Sequence, residues 1–581
     1  MDPKSFFCQP TSTAQLHYEA LRAFYYEGLS AADAAKKFGL STNYFKKLRN
    51  EFSRGLREGI SPFFEEKKPG PKNQTTNDDL IQQIVTLRKQ NYSISDIKTI
   101  LDTNSDQHTI SLDTIDRILK AEGFAPLPKR TRQQRLDIAL PEKLPAPAAE
   151  PLLITNEQFI TEVNAGPLIF LPLLEQLGII KVITSCDFPS TSQISDVQAV
   201  LSFLALKLVG GKRWSHDCKW NMDRALGLFA GLTVLPKSTT LSTYSYRVTR
   251  QNNRQLLTQL SKIFKDDIKD DGEFNLDFKA IPHWGDDSVL EKNWSGSRSK
   301  AIKSLLALIV QQPATGQLTY TDAEIKHCNQ AEAVLDFIDF WKQGQGCAPK
   351  MLIFDSKFTT YRHLNQINQS PGNIKFLTLR RRGKKLIEQA EALPKTKWQQ
   401  INVPRTKGQY QTIRIHDRHC KLRHYKGNVR EIIMTDHGRQ KPTFLITNDF
   451  DMDVETIVHK YARRWLVEQE IAEQVMFFQL NHPASSIVVK VDFDLTLSLL
   501  AHNLYKILEN HLPGFENCTV DTISRKFLEN GATISIKDHI ITVCLKKKAH
   551  LPILFELPWM KETTKLSWME VSIRYEIGTA S

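Results

Sequence analysis

The chain has 581 residues, enough for several domains with substantial cores. Lysine and arginine number 77 against 64 acidic residues, and the resulting charge of +13 and pI near 9.1 point to a polyanionic partner, nucleic acid before membrane. No apolar run has the length of a membrane span, no signal-peptide pattern opens the chain, and the eight cysteines are dispersed without a Cys-x-x-Cys pair, which argues against a disulfide framework or a thiolate zinc site and for a cytoplasmic protein.

Residues 1–64 read as a helix-turn-helix DNA-binding unit. A helix over 16–28 is followed by the run Ser30 to Arg49. Small Ala35 allows two helices to approach closely, and Gly39 four positions later supplies a tight turn. Ser41 or Thr42 then caps a helix carrying Asn43, Tyr44, Lys46, Lys47 and Arg49, a basic set suited to a major groove. Residues 65–76 contain Pro69, Gly70 and Pro71 and form a basic linker. Residues 77–135 repeat the plan as a second helix-turn-helix: 78–91, 96–101, and 112–122 with Ser111 as cap and Gly123 as stop. Lys129, Arg130 and Arg132 follow as expected phosphate contacts.

A Pro- and Ala-rich linker spans 136–152, and residues 153–270 read as a helical scaffold. Its basic residues Lys212, Arg213, Lys219, Arg247 and Arg250 are offered as further DNA contacts. Trp214, His216 and Cys218 cluster there, in a structural rather than a ligating pattern.

From residue 271 the pattern becomes α/β. Residues 274–281 alternate as a strand with Asp277 on the polar face, and Pro282 stops it. Residues 305–310 form a buried strand, the turn at 311–316 leads to a hairpin partner, and 331–341 is helical. Met351 to Phe354 is a second buried strand ending on Asp355, the kind of carboxyl end where open α/β sheets place their sites. Residues 373–442 are β-rich, and Phe444 to Thr447 returns to the core before Asn448-Asp449. A single helix is expected over 454–479, with Val454, Ile457, Val458, Tyr461, Trp465, Ala472 and Val475 on an apolar stripe and Glu468 in its middle. Such a carboxylate is costly to bury unless compensated, by Arg464 four residues earlier or by a cation. Asp286, Asp287 and Asp322 rank behind Asp277, and Asp449 behind Glu468, as carboxylates for a site. In residues 511–581, a hairpin of 531–536 with 539–545 is expected.

These motifs resemble the catalytic domain of DDE transposases of bacterial insertion sequences, in the branch with a Tyr-x2-Arg-x3-Glu signature and a β-strand insertion. Tyr461, Arg464 and Glu468 match that signature, with Trp465 as the usual neighbour and Thr447-Asn448-Asp449 leading in. Leu276-Asp277 through Gly285 is similar to the first catalytic strand, Phe354-Asp355-Ser356 to the second, and residues 230–246 to an upstream segment. The resemblance implies a ribonuclease-H-like catalytic domain over 271–372 and 443–510, with 373–442 inserted. It also implies a nucleoid-associated bacterial protein. One position departs: the family carries lysine seven residues after the glutamate, and this chain has Val475, leaving Lys460 or Lys490 as substitutes.

The resemblance further implies that Asp277, Asp355 and Glu468 share two Mg²⁺ (or Mn²⁺) ions, which prefer oxygen ligands. The reaction would be cleavage of double-stranded DNA at element ends and transfer of the 3′-OH to target DNA. Tyr461 and Arg464 would hold phosphates, and a homodimer on DNA would coordinate the two ends. Because of Val475, a non-catalytic DNA-binding regulator derived from a transposase is the alternative; a nuclease without strand transfer is a third.

Overall fold

A computed structural model describes residues 12–57, 78–104, 110–127, 147–211, 220–266, 272–283, 290–295, 300–404, 410–438, 440–482 and 487–578. The linker at 65–76, the basic residues Lys129, Arg130, Arg132, Lys212, Arg213 and Lys219, the Trp214–His216–Cys218 cluster, and Asp286 and Asp287 lie outside the described residues. The chain divides into two compact units, 1–144 and 145–581.

In the first unit, α1 (Thr13–Tyr25), α2 (Ala31–Lys37) and α3 (Thr42–Arg57) pack around Ala20, Leu21, Ala34, Ala35 and Phe45. Ser12, Ser30 and Ser41 cap the three helices through their hydroxyls, which accept N–H bonds at 3.2 Å. Gly39 has φ +67, the left-handed turn required between α2 and α3. Buried Ala35 lets Phe45 of α3 come in close. A second trio, α4 (Asp78–Lys89), α5 (Ile94–Asn104) and α6 (Leu112–Ala121), packs around Ile84, Ile97, Ile115 and Leu119, with Ser111 capping α6. Helix α5 starts earlier than the sequence pattern suggests because Ser93, just before Ile94, caps it by accepting the Asp96 N–H at 3.2 Å.

The second unit is built on two sheets. The larger has the order β3-β4-β2-β6-β7-β11-β10-β9-β8, with β5 pairing β4. Its centre is β2 (Glu273–Pro282), antiparallel to β4 (Lys300–Gln311) and parallel to β6 (Met351–Phe354). Next to β6 in parallel lies β7 (Lys375–Leu379), followed by antiparallel β11 (Thr443–Thr447). The β-rich segment 373–442 is thus no separate body: β7 is an interior strand, and β8 (Gln399–Pro404), β9 (Tyr410–Cys420) and β10 (Val429–Thr435) extend the same sheet beyond β11. On the other side, β3 (Glu291–Ser295) and β5 (Leu318–Ile325) flank β4.

The helical scaffold includes α7 (Asp196–Leu208), started by a capping box of Ser195 and Gln198, and α8 (Arg250–Asp266). Connections within the sheet are made by α9 (Ala333–Gln345) and α10 (Tyr361–Gln369). The expectation of helix throughout 153–270 is corrected at β1 (Glu157–Thr161), which pairs with β12 (Ala532–Lys537) from the far end of the chain. Its alternating burial suits a strand at a sheet edge, and it closes the smaller sheet, ordered β1-β12-β13-β15-β14. There β12 and β13 (Ile540–Leu545) make the expected hairpin through Asp538 and His539, both at positive φ, and β14 (Thr564–Leu566) and β15 (Val571–Ile577) complete it.

A second correction concerns residues 454–479. The single expected helix is two: α11 (Val454–Ala462), capped by Asp453, and α12 (Trp465–Met476). At the junction the N–H groups of Leu466 and Val467 bond three residues back, to Arg463 and Arg464, at 3.0 and 3.1 Å. That tighter winding advances the phase by roughly 20° per residue relative to an α-helix. Beyond it the buried face comprises Val467, Glu470, Ile471, Gln474 and Phe478, while Ala472 and Glu468 are exposed. Glu468 therefore does not sit in an apolar stripe. The 24-residue α13 (Val488–His511) is buried along most of its length against β5, α7 and α8. Among the described residues no single helix is long and apolar enough to cross a membrane.

Candidate active site

Strand register brings the first two carboxylates together. In the parallel pair, Leu276 of β2 lies opposite Phe354 of β6, and the next residue of each chain is Asp277 and Asp355. Neighbouring strands run about 4.8 Å apart, so the two aspartates occupy one row. The following residues lock it: Phe278 stacks on Phe358 with ring centroids 3.7 Å apart and planes within 6°. Each carboxylate accepts the next residue's N–H, Asp277 from Phe278 at 2.8 Å and Asp355 from Ser356 at 2.5 Å.

The third carboxylate arrives on the first turn of α12. Arg464, just before that helix, reaches Asp277 Oδ2 with Nη1 at 3.4 Å and Glu468 Oε1 with Nη2 at 2.7 Å. The Arg464 side chain is only 16% exposed, and its guanidinium is held protonated above its ordinary range: burial opposes its charge, but Tyr461, Asp277 and Glu468 outweigh that. The Asp277 carboxyl is pushed above its usual range chiefly by burial. Arg464 and the Phe278 N–H pull it down, and the charges of Glu468 and Asp355 push it further up. Asp277 thus feels both other carboxylates.

Beside the helix break lies Asn275, two residues before Asp277 and fully buried. Its amide donates to Gln311 Oε1 at 3.2 Å and to the Arg463 carbonyl at 3.5 Å. Sequence patterning gave no sign of this residue, whose role depends on partners about 36 and 188 positions away. Lys279 was also missed. It shares Asp277's face of β2, and burial holds its ammonium below the ordinary range against the pull of Asp277.

Tyr461 is half-buried, its ring centre 5.9 Å from the Arg464 guanidinium. Of the lysines offered in place of the one missing at Val475, Lys460 pairs with Glu273, and buried Lys490 lies over the Tyr246 ring at 3.2 Å. Asp449 closes its loop by accepting the N–H groups of Asp451 and Met452 at 3.0 Å.

Asp322 belongs to a different cluster. It accepts from Tyr320 Oη at 3.1 Å and Arg250 Nη2 at 3.2 Å, so Arg250 is occupied internally. Opposite it, Asp492 takes the Ala323 N–H at 2.6 Å and Arg250 Nη1 at 3.1 Å. Burial, and then the charge of Asp322, push the Asp492 carboxyl up to about 7. An unfolded aspartate titrates near 3.9, so between roughly pH 4 and 7 the native state holds the extra proton. This group's contribution to stability is present at low pH and is lost as pH rises toward 7. Urea midpoints measured at about pH 5 and pH 8 should show that loss, and Asp492→Asn should flatten it.

On α3, Asn43, Tyr44, Lys46 and Lys47 are exposed, and the Lys47 ammonium lies 3.9 Å from Glu51. Tyr44 Oη bonds His17 at 3.2 Å. Arg49 is half-buried, its guanidinium over the Phe24 ring at 5.2 Å.

No curated protein is detectably similar to the chain. Among solved structures, the cryo-EM structure of a piggyBac transposase synaptic complex with hairpin DNA is similar at 10% identity and a TM-score of 0.34, over 64% of this chain and 82% of that one. The family model described as the transposase DDE domain matches residues 287–504, a span that begins after Asp277 and takes in Asp355, Tyr461, Arg464 and Glu468. The chain thus carries a region, residues 287–504, that matches the transposase DDE domain family.

Proposed function

We propose that the protein is a DNA transposase that binds the ends of its own element, cleaves them and joins the 3′-OH ends to target DNA. The observation that carries this reading is the meeting of Asp277 and Asp355 on adjacent parallel strands with Glu468, linked to Asp277 through Arg464. The order β5-β4-β2-β6-β7, with β4 antiparallel and β6 and β7 parallel to the central strand, supports a ribonuclease-H-like core.

The donor set fits Mg²⁺ or Mn²⁺, since all three groups are hard oxygen ligands. A guanidinium held between Asp277 and Glu468 marks the cluster as one that attracts positive charge. Asp277, Asp355 and Glu468 would hold two such ions, which when bound supply a nucleophilic oxygen and stabilise the leaving one. The chain's own part is to orient the scissile phosphate. Arg464 offers a two-pronged donor, with Tyr461 beside it and Lys279 on the Asp277 strand. Lys279 is a candidate for the phosphate contact that Val475 lacks.

The helix α3 would read the element's end from the major groove, with α4–α6 as a second reader. Lys46→Ala and Lys47→Ala should each flatten the slope of log affinity against log salt by about 0.9, measured by fluorescence anisotropy on element-end DNA. Arg49→Ala should instead cost stability, because its guanidinium covers Phe24. An unchanged salt slope for both lysine variants would remove α3 from the interface.

The deciding experiment incubates the protein with the DNA flanking its coding sequence and Mg²⁺, then maps the products. Transposition predicts inverted repeats there, cuts at their ends, and joined products when pre-cut ends are supplied. Cutting without joining would make the protein a nuclease. Binding without cutting would make it a regulator. Coordinated cutting of two ends places a homodimer on DNA in this reading.

A further inference from the structure

Behind Glu468, on the buried face of the same helix, Glu470 and Glu473 of α12 meet His502 of α13. One ligand atom from each lies within 4.8 Å of the others. His502 is fully buried and Glu470 is 7% exposed. None of this cluster belongs to the site above.

Each side chain has one polar atom engaged by a group outside the cluster and turns the other toward its cluster partners. Glu470 Oε1 takes Gln311 Nε2 at 3.4 Å and lies 3.5 Å from Lys506 Nζ. Glu473 Oε1 accepts the Val520 N–H at 3.2 Å. His502 Nε2 is 3.2 Å from the Gly316 carbonyl, which can only accept, so Nε2 carries the proton and Nδ1 presents a lone pair. Glu473 Oε2 and His502 Nδ1 are buried without a hydrogen-bond partner, and Glu470 Oε2 faces His502 Nε2 at 3.2 Å. This is the pattern of metal ligands whose second atoms are oriented by protein groups.

Charge points the same way. Glu470 and Glu509 lie 3.5 and 3.3 Å from the single ammonium of Lys506, and Glu473 adds a third carboxyl beside them. A divalent cation would offset the carboxylates that one ammonium leaves unbalanced. His502 meets Glu470 Oε2 through Nε2 at 3.2 Å, whereas the 3.7 Å from Nδ1 to Glu473 Oε2 is too long for a hydrogen bond and leaves room for an ion on that side.

We propose that Glu470, Glu473 and His502 form a structural metal site for a transition ion of the Zn²⁺ class, distinct from the Asp277–Asp355–Glu468 cluster. One imidazole nitrogen and two carboxylate oxygens suit Zn²⁺, with a water as fourth ligand, better than Mg²⁺, which prefers oxygen throughout. The ion would clamp α12, and with it Glu468, to α13 and the β4–β5 turn. This site stands whether or not the protein moves DNA.

The test uses the full chain stripped with a chelator, then given one equivalent of Zn²⁺ in excess Mg²⁺. Metal content by mass spectrometry should return one zinc per chain, and Tm should rise on its addition. Glu473→Gln keeps an oxygen for the Val520 N–H but loses the charged ligand. It should bind Zn²⁺ at least about tenfold more weakly and show no rise. Asp355→Ala should retain both responses. Zinc content and Tm unchanged by Glu473→Gln would overturn the assignment. So would a wild-type chain that takes up no zinc, which would make the cluster a proton-balanced ion network. If His502→Gln fails to fold, the wild-type and Glu473→Gln series decides alone.

Discussion

Asp355→Ala is expected to abolish Mg²⁺-dependent DNA cleavage while leaving DNA binding and folding intact. Removing one of three carboxylates that would hold the catalytic ions forfeits several kcal/mol of transition-state stabilisation. At about 1.4 kcal/mol per tenfold, that is a loss on the order of 10³-fold or more. The fold should tolerate the change, because Asp355 accepts only the N–H of the adjacent Ser356 among the bonds that define its loop. The loop itself is held by the Phe278–Phe358 stack and by the Phe358 N–H on the Asp355 carbonyl at 3.1 Å. Asp277→Ala would be less clean, since it also removes the Arg464 partner. Cleavage is read on end-labelled element DNA and binding by anisotropy on the same fragment. Wild-type cleavage by the variant would end the transposase reading.

Arg464→Met is expected to destabilise the metal-free protein by about 2–3 kcal/mol, somewhat below the roughly 3–5 kcal/mol lost when one partner of a fully buried pair is removed. The discount reflects Glu468, whose side chain is 55% exposed. The burden falls on Asp277, left in a site where burial already raises its pKa and without the cation that lowers it. Its pKa should climb further. A carboxyl with a raised folded-state pKa contributes stability when protonated and loses it as pH rises through that pKa. The defect should therefore be large at about pH 8 and shrink toward pH 5, and denaturant unfolding at both values checks it. Stability unchanged at either pH, with weakened DNA binding, would make Arg464 a DNA contact alone.

Much of the candidate site is legible in the chain because its determinants are local. Strand alternation around Asp277, the apolar run ending at Asp355, the small residue and glycine of the α2–α3 turn, and the serine caps each depend on residues a few positions apart. The β12–β13 hairpin is legible for the same reason. By contrast, a periodicity reading carries one helix through residues 454–479, whereas Asn275, 188 positions earlier, donates its amide N–H to the Arg463 carbonyl at the break. The tightened winding then exposes Glu468 and buries Glu470. Strand β1 likewise finds its partner β12 some 370 residues on, too far for any local pattern to register.

By itself, the amino-acid sequence determined most of the stretches that become helix, strand and turn, apart from β1 and the break between α11 and α12, and which carboxylates stand at strand ends. Only the tertiary structure decided which of those carboxylates meet, through the Leu276–Phe354 register, and where the last helix turns out of phase. The physical reason is that propensity and periodicity act over a few residues, whereas register and helix phase are set by hydrogen bonds and burial between distant segments.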